Sequence, residues 1–434
     1  MRPNFRRLTL LSVLSLAGIA CREVTTLEQS NPGSLSASSL YTPGNAQVLV
    51  NGAIGDFECA FSRYVVGTGV FTDELSDAIS NSANFDFDRR SFTSGGPYGT
   101  GGCGTTQTAN QQPPIYTTLS TARGSTDTVL AKLRGWTDAE MPTGVNRTKL
   151  IGQVAAYAGY SLVLLGESMC SAAINLSGEL TPAQVFAEAK IRFDSAIVAA
   201  TASNDAATTN LATLGRARTL LDLGDAANAE KDAQKIPANF VVNMSTDAVN
   251  ARRLNFVFLS INTNSWWTVD PSFRGLTING AADSRVAVTN TGRAGTTAGT
   301  QVWTVDKYNS FTAAMPVARY AEAQYIIAEA RVAANDLAGA AAAINAVRAT
   351  RTGLPTFSAT GLTAADVKAQ IVEERRRELY LEGHRLGDLR RLGIALTPAA
   401  GSAYPGGGGT YGSLSCFPLP DVERINNPNI AKTP

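Results

Sequence analysis

Few residues in this 434-residue chain could perform acid–base or metal chemistry. His384 is the one histidine, which excludes a zinc site built from several histidines and any relay that needs a second imidazole. The run 73–77 (Asp-Glu-Leu-Ser-Asp) brings carboxylates close together, as a polysaccharide hydrolase would need. Catalytic carboxylates normally come from separate parts of a chain, and acidic residues also stabilise a helix start. We therefore expect structural roles here, with no catalytic residue, no metal site and no cofactor.

The overall charge argues against a nucleic-acid partner. The chain has 37 Lys and Arg against 36 Asp and Glu, a net charge of +1. A general nucleic-acid-binding protein would carry a strongly basic field, which this chain lacks. The hydrophobic fraction of 44% and the charged fraction of 17% are typical of a globular protein with a core.

The first residues have the pattern of an export signal. Arg2, Arg6 and Arg7 precede an apolar run over 8–20 that is too short to span a bilayer. Small residues then lead to Cys21, as in a bacterial lipoprotein cleavage box, although Gly18 stands where Leu is usual. The pattern predicts a signal peptide over 1–20, a lipid on Cys21 and a tether over 21–43. An ordinary secretory signal cleaved nearby is the alternative.

Export would place the remaining cysteines in an oxidising compartment. Four cysteines allow three pairings, and the sequence does not choose among Cys59, Cys103, Cys170 and Cys416. A second membrane segment is not expected, because the uncharged stretch 150–166 has helical apolar spacing and contains polar residues. We interpret it as a buried core helix.

Helix signals dominate the middle and the end of the chain. Two helical pairs, near 182–236 and 318–350, share a left-handed residue followed by an aspartate cap: Gly224-Asp225 and Asn335-Asp336. These Ala-rich pairs resemble tetratricopeptide hairpins, without a clean repeat along the chain. Between them we expect strands at Asn255–Ile261 and Val302–Val305, and an exposed loop over 279–301. Residues 80–116 are expected to form a long loop.

The most specific sequence motif is the charged string over 374–391. At helical spacing, Glu374 could pair with Arg377, and Glu382 with Arg385 and Asp388. Exposed pairs of this kind stabilise a helix by only a few tenths of a kcal/mol. From the residues alone, the string is a charged helix that docks on its neighbours.

The same string closely resembles the late signature of the SusD/RagB family of outer-membrane nutrient-binding lipoproteins. Segments 319–330, 343–348, 417–420 and 427–429 resemble other parts of that family, as do the leader and Asn31-Pro32. An aromatic residue is common in the family where Leu386-Gly387 stand here. The signature positions matched are Glu374, Arg375, Glu378, Leu379, Glu382, Gly383, Arg385, Asp388, Leu389 and Arg391.

The resemblance implies a mainly α-helical fold: a tetratricopeptide-like helical-hairpin scaffold with long loops and a few short strands, forming one domain over 44–434. It also implies a lipid-anchored protein on the outer membrane, at the cell surface. Such a protein captures an oligosaccharide or another nutrient without cleaving it and delivers it to a TonB-dependent β-barrel transporter. The alternative is a periplasmic tetratricopeptide-type adaptor that binds other proteins.

A glycan site needs aromatic faces for sugar rings and polar groups for their hydroxyls. Two regions, 84–116 and 262–308, combine both in polar loops. Adjacent Trp266 and Trp267 would face opposite sides of a strand, so at most one should lie in the core. The expected ligand-binding residues are Trp266, Trp267, Trp303, Tyr308, Phe87, Arg89 and Tyr98.

Overall fold

The computed structural model describes residues 36–103 and 112–431. The predicted signal peptide, the lipid site Cys21 and most of the tether lie outside these residues. Helices dominate the described chain, as predicted. Their bounds are α1 Ala37–Leu40, α2 Ala46–Phe71, α3 Ser82–Asp88, α4 Tyr116–Gly135, α5 Arg147–Ser168, α6 Pro182–Ala202, α7 Ala206–Asp222, α8 Ala226–Ala233, α9 Tyr320–Ala333, α10 Leu337–Arg348, α11 Ala364–Glu378, α12 Arg385–Leu392 and α13 Asp421–Asn426.

The long helices form a row in which each packs against the next. α5 lies between α4 and α6, and α7 connects α6 to α8 and α9. Small residues allow the close approach: a Cβ added at Gly159 or Gly215 would lie 2.7 or 2.4 Å from the ring of Phe193. The large core formed in this way extends from α2 to the C-terminal segment.

The predicted helix boundaries are confirmed where they depend on local signals. Thr181 accepts a hydrogen bond from the backbone N–H of Gln184 and completes a capping box for α6. Asp225 and Asp336 cap α8 and α10, and each follows a residue in the left-handed region, Gly224 (φ 80°) and Asn335 (φ 59°). α5 is the one described helix long and apolar enough to cross a membrane, and 83% of its apolar window is buried, as a core helix should be.

Eight short strands form four antiparallel pairs among the described residues: β1 with β3, β2 with β8, β4 with β5, and β6 with β7. In the first pair, Asp77 lies opposite Trp267. The strand bounds are β1 Leu75–Asp77, β2 Val241–Met244, β3 Trp267–Val269, β4 Thr277–Ile278, β5 Ala281–Ala282, β6 Val288–Ala294, β7 Gln301–Val305 and β8 Met315–Arg319.

Three predictions of local structure are wrong. Residues 255–261 enter a helical turn, because the Asn255 side chain accepts a hydrogen bond from the N–H of Phe258 (3.0 Å) and acts as a helix cap. The expected loop 279–301 contains β6, which pairs with β7. The expected loop 80–116 contains α3, and α4, which the sequence analysis did not predict, begins at its end.

The charged string is not one exposed helix. α11 ends at Glu378, and a turn with left-handed Leu381 and Gly383 leads into α12. Most of the charges are buried and pair with distant elements, so the expected helical rows do not form. The pairs are Glu374 with Arg285 and Arg348, Glu378 with Arg319 and Arg351, Glu382 with Arg319 and Lys307, Arg385 with Asp73, and Asp388 with Arg375 and Arg391.

The acidic run 73–77 follows the C-terminal end of α2, so the expected helix-start role is wrong. Asp73 pairs with Arg385, and Glu74 accepts a hydrogen bond from the N–H of Leu381 (2.8 Å). The run therefore joins α2 to the turn of the charged string. The cysteines form two disulfides, Cys59–Cys103 and Cys170–Cys416, one of the three possible pairings.

Candidate functional site

A cavity of about 450 Å³ opens where five parts of the chain meet. They are the end of β1, the end of α3, the turn after β3, the turn before β7 and a glycine-rich loop over 397–412, which we call the 397–412 loop. The polar and aromatic residues that line the cavity are Ser76, Asp77, Asp88, Asp270, Ser272, Arg274, Thr297, Thr300, Thr397, Tyr404 and Tyr411.

Asp88 connects three of these segments. Its Oδ2 accepts hydrogen bonds from the N–H of Asp77 (2.8 Å) and from the hydroxyl of Tyr404 (2.9 Å). Burial raises the pKa of Asp88 to about 7, against the opposing effect of these hydrogen bonds. The carboxyl group thus fixes Tyr404 beside the end of β1.

Two further aspartates line the same cavity. Asp77 is buried, and its Oδ2 accepts hydrogen bonds from the hydroxyl of Thr297 and the N–H of Ser80 (3.2 Å). Asp270 caps the short turn after β3 by accepting from the N–H of Ser272 (2.8 Å). Burial raises the pKa of both carboxyls.

Arg274 is the one cation among the lining residues. Its Nε donates to the carbonyl of Val269 (2.8 Å), and its guanidinium lies 5.5 Å from the centre of the Trp303 ring. Within the described chain no carboxylate lies within 4.0 Å of its nitrogens, in contrast to most arginines of this protein. Arg274 is therefore positioned without an ion pair that a ligand would have to break.

Tyr404 and Tyr411 form the aromatic part of the wall. Their rings meet edge to face at 5.3 Å, and Tyr404 meets Phe85 in the same way at 5.5 Å. The Arg90 guanidinium lies 5.0 Å from the centre of the Tyr411 ring. Both tyrosines are largely buried and line the cavity.

The 397–412 loop is held by the segment after α3. Arg89 donates to the carbonyl of Gly408 (2.6 Å) and also pairs with Asp86 (2.6 Å). In return, the N–H of Gly412 donates to the carbonyl of Arg89 (2.6 Å). A Cβ on Gly412 would lie 2.2 Å from the Arg90 carbonyl oxygen, so only glycine allows this approach.

Four of the aromatic residues expected to bind ligand lie in the core instead. Trp267, Tyr308, Phe87 and Tyr98 are each no more than 1% exposed, which contradicts the exposed rings that the site requires. Phe87 and Tyr98 pack with Phe417, and the Tyr308 hydroxyl donates to the Leu381 carbonyl. Apolar packing stabilises these rings more than exposure would.

The other expected residues lie at or near the surface. Trp266 is half-buried and precedes β3, while Trp267, the first residue of β3, is buried. Trp303 is half-buried beneath Arg274, next to the cavity, and Arg89 supports the 397–412 loop from outside the lining. Trp266, Trp303 and Arg89 remain predicted ligand residues.

Sequence reasoning located three of the five segments that line the cavity and missed two, the end of β1 and the 397–412 loop. Asp88 lies in the expected region 84–116, and Asp270, Arg274 and Thr297 lie in the expected region 262–308. Tyr404 was missed, although the run 406–409 of four glycines between two tyrosines is a visible signal of a shaped loop. No group of three metal-ligating side chains occurs within 36–103 and 112–431.

Comparison with known proteins supports the resemblance found in the sequence. The SusD family model matches residues 270–414, which include the turn after β3, the charged string and the 397–412 loop. No curated protein matches this chain.

Solved structures match over almost the whole chain. A SusD-like carbohydrate binding protein from Bacteroides vulgatus is 17% identical, with a TM-score of 0.66 over 90% of this chain and 97% of the other. Surface glycan-binding protein A from Bacteroides thetaiotaomicron is 13% identical, with a TM-score of 0.65 over 88% and 97%. A laminarin binding SusD-like protein is 16% identical, with a TM-score of 0.64 over 90% and 98%. The resemblance to the SusD/RagB family is confirmed, and the chain has the helical fold of these proteins.

Proposed function

We propose that this chain is an outer-membrane lipoprotein that binds an oligosaccharide without cleaving it and delivers it to a TonB-dependent transporter. The observation that carries the proposal is the cavity, in which three aspartates, Arg274 and two tyrosines converge within a SusD-like fold. Carboxylates accept hydrogen bonds from sugar hydroxyls, guanidinium groups donate to sugar oxygens, and aromatic carbons contact the apolar ring faces. The binding body is one domain over 44–434, tethered through 21–43 to a lipid on Cys21.

The glycan-binding names of two structural relatives support this assignment of ligand class. The absence of a catalytic role rests on the geometry of the acidic groups. Asp88 accepts from Asp77 and Tyr404, and Asp77 accepts from Thr297, so both carboxylates hold the walls of the cavity together. A hydrolase needs one carboxyl free to donate a proton and a second free to attack or activate water.

Calorimetric titration of the soluble body with a panel of oligosaccharides tests this function. We expect saturable binding and no cleavage products by chromatography. Arg274→Ala should weaken binding at least about 10-fold, since a hydrogen bond to a charged group contributes about 1.5–3 kcal/mol. Glu188→Gln, at a half-exposed position on α6, is the control and should bind like the wild type.

Copurification of the full-length lipoprotein from its native membrane in mild detergent tests delivery. A stoichiometric β-barrel transporter is expected. Absence of any glycan binding by the folded protein, together with periplasmic partners in place of a barrel, would favour the tetratricopeptide-type adaptor.

A further inference from the structure

Acidic side chains outnumber basic ones in the lining of the cavity. Of its 17 lining residues, three are aspartates and one is an arginine, and the lining contains no lysine, glutamate or histidine. With Asp77, Asp270 and Arg274 ionised the lining carries a charge of −1, and ionisation of Asp88, whose pKa is about 7, makes it −2. Sugar recognition alone does not require this excess, because neutral amides and hydroxyls also bind sugar hydroxyls.

The three aspartates act on one another. β1 and β3 pair antiparallel, so Asp77 at the end of β1 and Asp270 after the end of β3 lie at opposite ends of the pair, and both line the cavity. Besides burial, the charges of Asp77 and Asp270 add to the upward shift of the Asp88 pKa. The carboxylates form an acidic wall of the cavity, and Arg274, anchored on the carbonyl of Val269, offsets part of the charge of Asp270.

The neighbouring cation Arg90 does not neutralise this wall by an ion pair. Its guanidinium donates to the carbonyls of Thr397 and Pro398 and lies over the Tyr411 ring. Among the described residues no carboxylate lies within 4.0 Å of the nitrogens of Arg90. The cation is committed to supporting the 397–412 loop, and the acidic excess faces the cavity.

We infer, on the basis of the proposed function, that this cavity selects neutral oligosaccharides and rejects glycans that carry carboxylate or sulfate groups. Hydroxyl groups of a neutral sugar donate to the aspartates and gain charge-assisted hydrogen bonds. An acidic sugar can satisfy Arg274, but its other faces meet two or three like charges. A carboxylate about 6 Å from one aspartate loses roughly 3- to 100-fold in affinity, depending on local screening.

A matched pair of ligands isolates the effect of charge. The tightest neutral oligosaccharide of the panel is compared with the same oligosaccharide after oxidation of its primary hydroxyls to carboxylates, by calorimetry at low and high salt. We expect the oxidised form to bind at least about 10-fold more weakly, with a smaller difference at high salt because screening weakens the repulsion.

A charge variant distinguishes repulsion from simple loss of the hydroxyls. Asp270→Asn keeps an acceptor for the Ser272 N–H and removes one negative charge. It should tighten binding of the oxidised ligand about 3- to 10-fold. Binding of the neutral ligand should weaken, because a charge-assisted hydrogen bond becomes a neutral one, so the preference for the neutral ligand shrinks. Glu188→Gln also removes one negative charge, but outside the cavity, and should change neither affinity.

The possible results separate the two proposals. Tighter binding of acidic than of neutral glycans by the wild type, or no gain for the oxidised ligand in Asp270→Asn, would overturn charge selection and leave glycan capture standing. Failure of every glycan, neutral or acidic, to bind the folded protein would refute the proposed function and charge selection with it.

Discussion

At the scale of single residues, the most informative groups are buried carboxyls whose hydrogen bonds do not fully offset the cost of burying their charge. Glu74 is 1% exposed, and burial raises its pKa to about 8, against the hydrogen bond from the Leu381 N–H. Burial also raises the pKa of Glu322 and of Asp88 to about 7. In the unfolded chain these groups return to ordinary values near 4. At pH values between the unfolded and the folded pKa, the folded protein therefore binds protons that the unfolded chain releases.

This difference predicts that stability falls as the pH rises from about 5 to about 8. For each such group the free energy of unfolding should decrease by up to about 1.4 kcal/mol per pH unit. Glu74→Gln keeps an acceptor for Leu381 and cannot ionise, so its slope in urea unfolding at pH 6, 7 and 8 should be shallower than that of the wild type. Glu188→Gln should keep the wild-type slope. An unchanged slope in Glu74→Gln would show that Glu74 does not take up a proton on folding.

At the scale of elements, the 397–412 loop depends on its contact with the segment after α3. Gly412→Ala would place a Cβ 2.2 Å from the carbonyl oxygen of Arg90, so the loop must move away from Arg89 and Arg90. We expect a loss of about 1–3 kcal/mol in stability and a several-fold loss of oligosaccharide affinity, because Tyr404 and Tyr411 move with the loop.

Gly52→Ala is the matched control for this prediction. Gly52 lies in α2 with open space around the added Cβ, so the substitution should be neutral or stabilise the helix slightly. Thermal unfolding and calorimetry of both variants provide the comparison. Equal affinity in Gly412→Ala and the wild type would mean that the loop does not shape the binding cavity.

The elements also show what a single sequence can predict. The caps of α6, α8 and α10 were predictable because the capping residue and its partner lie within three positions of each other. The burial of Phe87 and Tyr308 was not, because each ring packs against residues far along the chain. Asp77 and Tyr404 come together only through Asp88, so neither position alone indicated the cavity.

At the scale of the whole molecule, the charged string joins elements that are distant in sequence. Glu374 reaches the short turn before β6 and the end of α10, Arg385 reaches the residues after α2, and Arg391 pairs with Glu329 of α9. The charges were visible in the sequence, but their burial was not. Burial changes how much each ion pair contributes to the stability of the fold. An exposed pair contributes little, whereas removal of one partner of a buried pair leaves an uncompensated charge.

Arg375 tests this structural role most directly. Its side chain is 4% exposed and donates two hydrogen bonds to Asp388 (2.7 and 2.8 Å), with Glu329 at 3.4 Å. Arg375→Met should lower the free energy of unfolding by about 3–5 kcal/mol. Arg351→Met, whose side chain is 40% exposed, should cost no more than about 1 kcal/mol because Glu378 keeps Arg319.

The affinity of each variant for oligosaccharide separates folding from binding. Arg375 does not line the cavity, so the folded fraction of Arg375→Met should bind with wild-type affinity at a temperature well below its unfolding midpoint. Equal stabilities of the two variants in denaturant titration would contradict the buried network. Weaker binding by folded Arg375→Met would instead mean that the string positions the cavity as well as the scaffold, since residues 383–392 lead directly into the 397–412 loop.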